Sequence, residues 1–228
     1  PCIVTTVNRY LTVTVEENKD TPDKLATSVL SGKGYMQEII HFFRKKYQKQ
    51  EKLTVNITSQ LSGLGLGSSA ALTVGLVKAL DEFWGINLAD KDIFDLCLSI
   101  VRKRFPLSSG FDLASCLYGG TILFNGKTKK VTGIRSQNLP ILAVFTGKKV
   151  STEDYVNKVG LFRGKTPRFV NNLFDDIGSI VLQSKTAMEK DDWAGLGTLM
   201  NRNQEGLVKL GVSTEKINMI IEKSQGMG

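Results

Sequence analysis

Cysteine, histidine and long apolar runs are what this sequence has least of. Cys2, Cys97 and Cys116 are its three cysteines, scattered and outside any CxxC pair, and His41 is its single histidine. A disulfide scaffold and a Cys/His zinc centre are thereby excluded, and a reducing, cytoplasmic setting is the expectation. No apolar stretch approaches the ~18–20 residues that cross a bilayer. The longest, such as 141–145, are strand-sized. Neither a charged-then-apolar leader nor a lipidation motif is visible, and a chain opening at Pro1 rather than methionine is expected to have lost its true start.

What is present suits a folded protein. With 41% hydrophobic and 23% charged residues in 228, the chain can bury a core, as one large domain or two small ones. Lys+Arg number 30 against 22 Asp+Glu, a net charge of +8 that favours an anionic partner, either nucleic acid or a phosphorylated small molecule. The excess is dispersed. Its densest clusters are Arg44-Lys45-Lys46, Arg102-Lys103-Arg104 and the lysines of 127–130. Each has few aromatic neighbours, so the stacking platforms of single-strand binders are missing and solvated helix faces or loop tips are the expectation.

Periodicity divides the chain into two styles. Residues 3–15 read as one long half-buried strand, 16–34 as a polar loop, and 35–47 as an amphipathic helix with Met36, Ile39, Ile40 and Phe43 on one face. That stripe suits a core better than a dimer face. A strand over 53–57, a glycine-rich turn and a helix over 68–83 follow, then a helix over 90–102 capped by Asp90. A loop with Pro106 and Gly110 leads through a short segment to Gly119-Gly120 and a strand over 121–124. A strand over 139–146 is expected next, and helices over 152–161, 167–190, 191–210 and 213–224. The pattern is α+β in two lobes, 1–137 and 138–228.

One segment exceeds the needs of a tight turn. Gly63-Leu64-Gly65-Leu66-Gly67-Ser68-Ser69-Ala70-Ala71 lies between a strand and a helix. Glycines at 63, 65 and 67 let the backbone turn and bring free N–H groups to a ligand. A helix starts there, and its first amides and dipole favour phosphate. The Ser68 and Ser69 hydroxyls can take phosphate oxygen or a metal ion, and Ala70 keeps the first turn slim. A plain connection with Ser68 as N-cap would need only one glycine and one serine. No Gly-Lys-Ser/Thr follows, so this is no Walker loop, and the glycine spacing is not the dinucleotide fingerprint.

Ser108-Ser109-Gly110-Phe111-Asp112 is the second such segment. A carboxylate after a flexible turn, opening a small-residue stretch, can accept a hydroxyl proton during phosphoryl transfer. Alone it would read as an ordinary N-cap aspartate.

Together the two segments resemble the GHMP kinases (galactokinase, homoserine, mevalonate and phosphomevalonate kinases), whose central motif runs PxGxGLGSSAA, with Leu61 here in the proline's place. Ser109-Gly110-Phe111-Asp112 through Gly119-Gly120 is similar to the SGxD…GG stretch of the mevalonate-type branch. Thr146-Gly147 through Ser151-Thr152 resembles the turn opening the second lobe, and Asn203 through Ser213 a helix end ending in Leu-Gly-Val-Ser. The resemblance implies the two-lobed GHMP kinase fold, with an N-terminal lobe of the ribosomal-protein-domain type and an α/β C-terminal lobe. It implies ATP over Gly63, Gly65, Leu66, Gly67, Ser68, Ser69 and Ala70, Mg2+ on Ser68, Asp112 as general base, and Ser109, Gly110 and Thr152 against the substrate. Mevalonate is the first acceptor it implies. Phosphomevalonate is the second, on Val7-Asn8-Arg9-Tyr10 and the Thr146-Gly147 turn. The family's lysine-bearing first motif would precede Pro1 and its last glycine loop would follow Gly228, so the chain is expected to be trimmed at both ends. The branch's magnesium-binding glutamate would fall on Val101. The rival from another class is a non-catalytic nucleotide- or nucleic-acid-binding module. Asp112 beside a phosphate cradle speaks against nucleic acid, and the expected partner is a small molecule, with neither nucleic acid nor membrane.

Overall fold

The computed structural model describes residues 1–19, 22–28, 32–60, 65–135, 139–147 and 152–226. They form two compact units, Val4–Val131 and Thr132–Gly228 with Pro1–Ile3. The division falls inside β1 (Cys2–Thr5) and β6 (Lys130–Gly133).

In the first unit, β2 (Leu11–Glu17), β3 (Lys24–Thr27) and β4 (Leu53–Ser59) make a sheet of order β2-β4-β3. β2 runs antiparallel to β4, with Val13 opposite Ile57 and Val15 opposite Val55. β3 runs parallel to it, with Leu25 also opposite Val55. The alternation in Leu53-Thr54-Val55-Asn56-Ile57 thus turns Leu53, Val55 and Ile57 to the core, at 0 to 2% exposure. Over them lie α1 (Gly32–Tyr47) and α2 (Ser68–Phe83), with α3 (Asp90–Arg102) and α4 (Phe111–Tyr118) against α2. α2 seats closely on β2, since a Cβ at Gly75 would lie 3.1 Å from Val13 Cγ2. Met36, Ile39, Ile40 and Phe43 of α1 are buried within the chain, as the helical stripe required. Each such side chain contributes ~1.5–3 kcal/mol. β5 (Thr121–Asn125) joins β1 and β6 in a second sheet of order β1-β5-β6.

Three expectations change here. The single strand over 3–15 is two strands, because β1 belongs to the β5 sheet and β2 pairs with β4. The polar stretch 16–34 holds β3, too short to alternate visibly, and the start of α1. Asp90 is the first residue of α3, not its cap; extended Ala89 stands at the N-cap.

The second unit is built from α5 (Thr152–Lys165), α6 (Pro167–Glu189), α7 (Trp193–Lys209) and α8 (Glu215–Gln225). Pro167 opens α6 where no N–H is needed. Asp192 caps α7 at Gly195 N (2.9 Å), and Thr214 caps α8 at Ile217 N (3.3 Å). Val170, Leu173 and Leu210 form one apolar cluster, and Ile180, Ala187 and Leu199 another. The strand expected over 139–146 is not formed: these residues have no regular structure. Leu142 is 87% exposed and Phe145 53%, so among the described residues no neighbouring strand or layer takes up the run's backbone bonds or apolar surface. No helix among the described residues is long and apolar enough to cross a membrane.

Candidate active site

The two motif segments open helices of the Val4–Val131 unit, α2 and α4, that pack against each other. Both helices begin in the same unusual way. The residue before α2 is Gly67 at φ 78, ψ 27, and the residue before α4 is Gly110 at φ 84, ψ 15. A left-handed residue at a helix entry costs a residue with a Cβ ~1–2 kcal/mol, and glycine escapes that cost. Neither entry carries a side-chain cap. Among the described residues the first-turn amides of α2 are therefore not claimed by a side chain, which is the condition for receiving an anionic ligand, whereas at α4 the Asp112 carboxylate takes one of them, that of Leu113.

At α2, the chain turns through Gly65 (φ 72), Leu66 and Gly67 into Ser68, Ser69 and Ala70. Leu66 is exposed and Ala70 is buried at 3%. Space is open at Gly65 and Gly67, where an added Cβ would meet nothing within 4 Å. Ser68 is not the N-cap, which removes the plain-turn explanation of that serine. Among the described residues neither the Ser68 nor the Ser69 hydroxyl has a hydrogen-bond partner. Gly63 lies outside the described residues.

At α4, Asp112 is the second helical residue and half-buried. It is not an N-cap either. Its Oδ1 accepts from Leu113 N at 2.9 Å, and its backbone O accepts from Ser115 Oγ at 2.9 Å. Gly110 is buried, with Leu98 and Phe94 closing on it, whereas Ser109 is exposed. Desolvation pushes the Cys116 thiol, one turn beyond Asp112, up to about 11, and the Asp112 carboxylate adds to the rise. That thiol stays protonated at neutral pH and offers no nucleophile, leaving Asp112 as the titratable group of α4's first turn. The loop leading to it is held by Arg102, whose Nε donates to Ser108 O at 3.0 Å.

A divalent cation here would find few protein ligands. Among the described residues no three His, Cys, Asp or Glu cluster, and the half-buried Val101 of α3 supplies no oxygen. The hydroxyl of Ser68 suits the role of a single hard-oxygen ligand.

Thr152, the other substrate candidate, is the exposed first residue of α5 in the second unit, and Ser151 lies outside the described residues. The Leu-Gly-Val-Ser segment is the turn between α7 and α8. Gly211 (φ 72) ends α7, Lys158 Nζ donates to Gly211 O (2.7 Å), and Ser213 Oγ donates to Asn218 Oδ1 (2.7 Å). One residue that supports the site escaped the motif reading: Thr73, fully buried in α2 and bonded to Ser69 O. A lone hydroxyl between Leu72 and Val74 was the signal available for it.

The profile of the family described as GHMP kinases N terminal domain matches residues 34–120, which contain both helix entries. A mevalonate kinase of Thermococcus sibiricus is 30% identical over 228 residues, covering 96% of this chain and 67% of that protein. One from Thermococcus gammatolerans is 31% identical over 210 residues, 89% of this chain and 61% of the relative. The chain thus spans about two thirds or less of the length of these relatives. Among solved structures, L. major mevalonate kinase in complex with R-mevalonate superposes with a TM-score of 0.81 at 23% identity, over 99% of this chain and 74% of that one. At such identity the likeness carries the fold.

Proposed function

Because the chain belongs to the GHMP kinases, we propose that the protein carrying it transfers the γ-phosphoryl group of ATP to the hydroxyl of mevalonate. The observation that supports this most is the pair of packed helices, α2 and α4, each entered through a left-handed glycine. One presents two serine hydroxyls and open amides; the other presents a carboxylate. The acceptor follows from the relatives, which are named mevalonate kinases.

In this reading the glycines of the motif, Gly63, Gly65 and Gly67, and the first amides of α2, at Ser68 and Ser69, hold the nucleotide phosphates, with Leu66 and Ala70 shaping the entry to the helix. The helix dipole opposes phosphate charge. Magnesium, when bound with the nucleotide, supplies charge neutralisation, and Ser68 is the side chain that would hold it. Asp112 orients the acceptor hydroxyl and takes its proton as the oxygen–phosphorus bond forms and the bond to ADP breaks; Ser109 and Gly110 flank the acceptor. So few titratable groups suffice because phosphoryl transfer asks a protein chiefly for positioning and electrostatics.

The test is ATP consumption by the protein with magnesium and R-mevalonate, run beside phosphomevalonate. Asp112→Asn should lower turnover by roughly 10²–10⁴ while nucleotide still binds. Near-normal turnover in that variant would remove Asp112 as base, and turnover on phosphomevalonate alone would move the acceptor.

A further inference from the structure

We propose that Tyr35 is a positioning residue for the phosphate-binding end of α2: acting through Thr73, it sets nucleotide affinity without touching the nucleotide. The inference rests on the phosphate-cradle reading of α2. Thr73 is 0% exposed, and its Oγ1 donates to Ser69 O, one turn back, at 2.8 Å. A hydroxyl has one proton. With that proton on Ser69 O, the 2.8 Å contact between Thr73 Oγ1 and the Tyr35 hydroxyl must be a bond that Tyr35 donates. Burial outweighs this bond and holds the Tyr35 phenol above its ordinary value of 10, so the donor is protonated throughout the neutral range.

The aim of the Tyr35 ring is itself secured. The Arg104 guanidinium lies over it, 4.6 Å from the centroid, and Arg104 is held by two bonds to Glu38, one turn along α1, at 2.8 and 2.5 Å. On the other side of Thr73, Cys97 Sγ of α3 lies 4.0 Å from its carbonyl O. This tie matters because Gly67 gives the first turn of α2 no side-chain cap. Among the described residues, Tyr35–Thr73–Ser69 is the side-chain chain of bonds that reaches that turn from another element. Its other end is a carbonyl of the turn whose amides face the phosphates.

Removing the Tyr35 hydroxyl leaves Thr73 Oγ1 its bond to Ser69 O but takes away the donor from α1 that fixes that oxygen, so the first turn frays more readily and the penalty should fall on phosphate binding rather than on the chemical step. The experiment compares ATP KM and kcat, nucleotide Kd and melting temperature for the whole protein and for Tyr35→Phe, Thr73→Val, Thr73→Ser and the double variant Y35F/T73V. Tyr35→Phe and Thr73→Val should each weaken nucleotide binding by roughly three- to tenfold, the worth of one hydrogen bond, with kcat within about twofold. The double variant should be no worse than the single ones, since one relay is lost once, and Thr73→Ser should bind as the parent does. A melting temperature that falls while Kd stays at the parental value would overturn the proposal and leave a merely structural contact. Additive losses in the double variant would overturn it too. Gly67→Ala is the control for the cradle itself. If it leaves Kd unchanged, the cradle reading fails; if it weakens binding while Tyr35→Phe does not, only the relay fails.

Discussion

At Gly110 two demands meet that no other amino acid satisfies together. Its φ is 84°, and a Cβ there would lie 3.1 Å from both Leu98 Cδ1 and Phe94 Cζ. At Gly67, φ is 78° but the space is open. The two helix entries therefore predict different consequences for one substitution. Gly67→Ala should lose about 1–2 kcal/mol of stability from backbone strain alone, and most of its effect should appear as weaker nucleotide binding. Gly110→Ala adds overpacking against two core side chains and should lose about 2–4 kcal/mol. Urea unfolding of the two variants measures the difference. Equal midpoints would show that Leu98 and Phe94 yield without cost. Glycine at both positions was legible in the sequence as a turn. Which one is also pressed by neighbours was not, because Phe94 and Leu98 reach it from another helix.

Elements, rather than residues, account for the basic clusters. Arg44 at the end of α1 bonds both carboxylate oxygens of Asp23 (2.6 and 2.9 Å) and also donates to Glu51 O. Asp23 in turn accepts from Leu53 N at 2.9 Å, so one ion pair ties the entry of β3 to α1 and β4. Arg104 pairs with Glu38 and Lys129 with Asp95, so each cluster gives one member to an acidic partner distant in sequence. The Arg44 hydrogen bond, more than any other influence, holds the Asp23 carboxyl below its ordinary 3.8. A depressed carboxyl contributes stability that is fully present above 3.8 and is lost as pH falls through its folded value. Asp23→Asn should accordingly cost about 1–3 kcal/mol at neutral pH. In denaturant melts the gap to the parent should be the same at pH 7 and 5 and narrow near pH 3. A gap that persists undiminished at pH 3 would show that charge is not what Asp23 supplies. Partners 21 residues apart are invisible to periodicity, so the sequence shows a basic run where the structure shows a clasp.

Across the whole molecule, burial is uneven. In the Val4–Val131 unit, α2 and α3 bury Leu72, Val74, Leu76, Val77, Ile93, Leu96 and their neighbours. In the second unit, neither α5 nor α8 holds a fully buried residue. Opening free energy follows buried contact, so amides of α2 and α3 should exchange with solvent far more slowly than those of α5 and α8. Hydrogen exchange read by mass spectrometry tests this, and equal protection in the two sets would refute it.

What the sequence determined by itself is local. The extents of α2 and α3 follow from helical period, the proposed phosphate cradle is read from alternate glycines before two serines, and the proposed role of Asp112 from its place after Ser-Ser-Gly. Each is written in residues a few positions apart. The tertiary structure alone decided which strands pair, since β1 joins β5 through contacts such as Thr5 Oγ1 to Thr121 Oγ1 (2.9 Å), 116 residues apart. It decided that Ser68 and Asp112 are not caps, because left-handed glycines occupy those positions. It left 139–146 without a strand, and it brought Tyr35 to Thr73. Strand bonds and buried hydroxyl partners are satisfied across long loops, and the closure entropy of a loop leaves no trace in local composition.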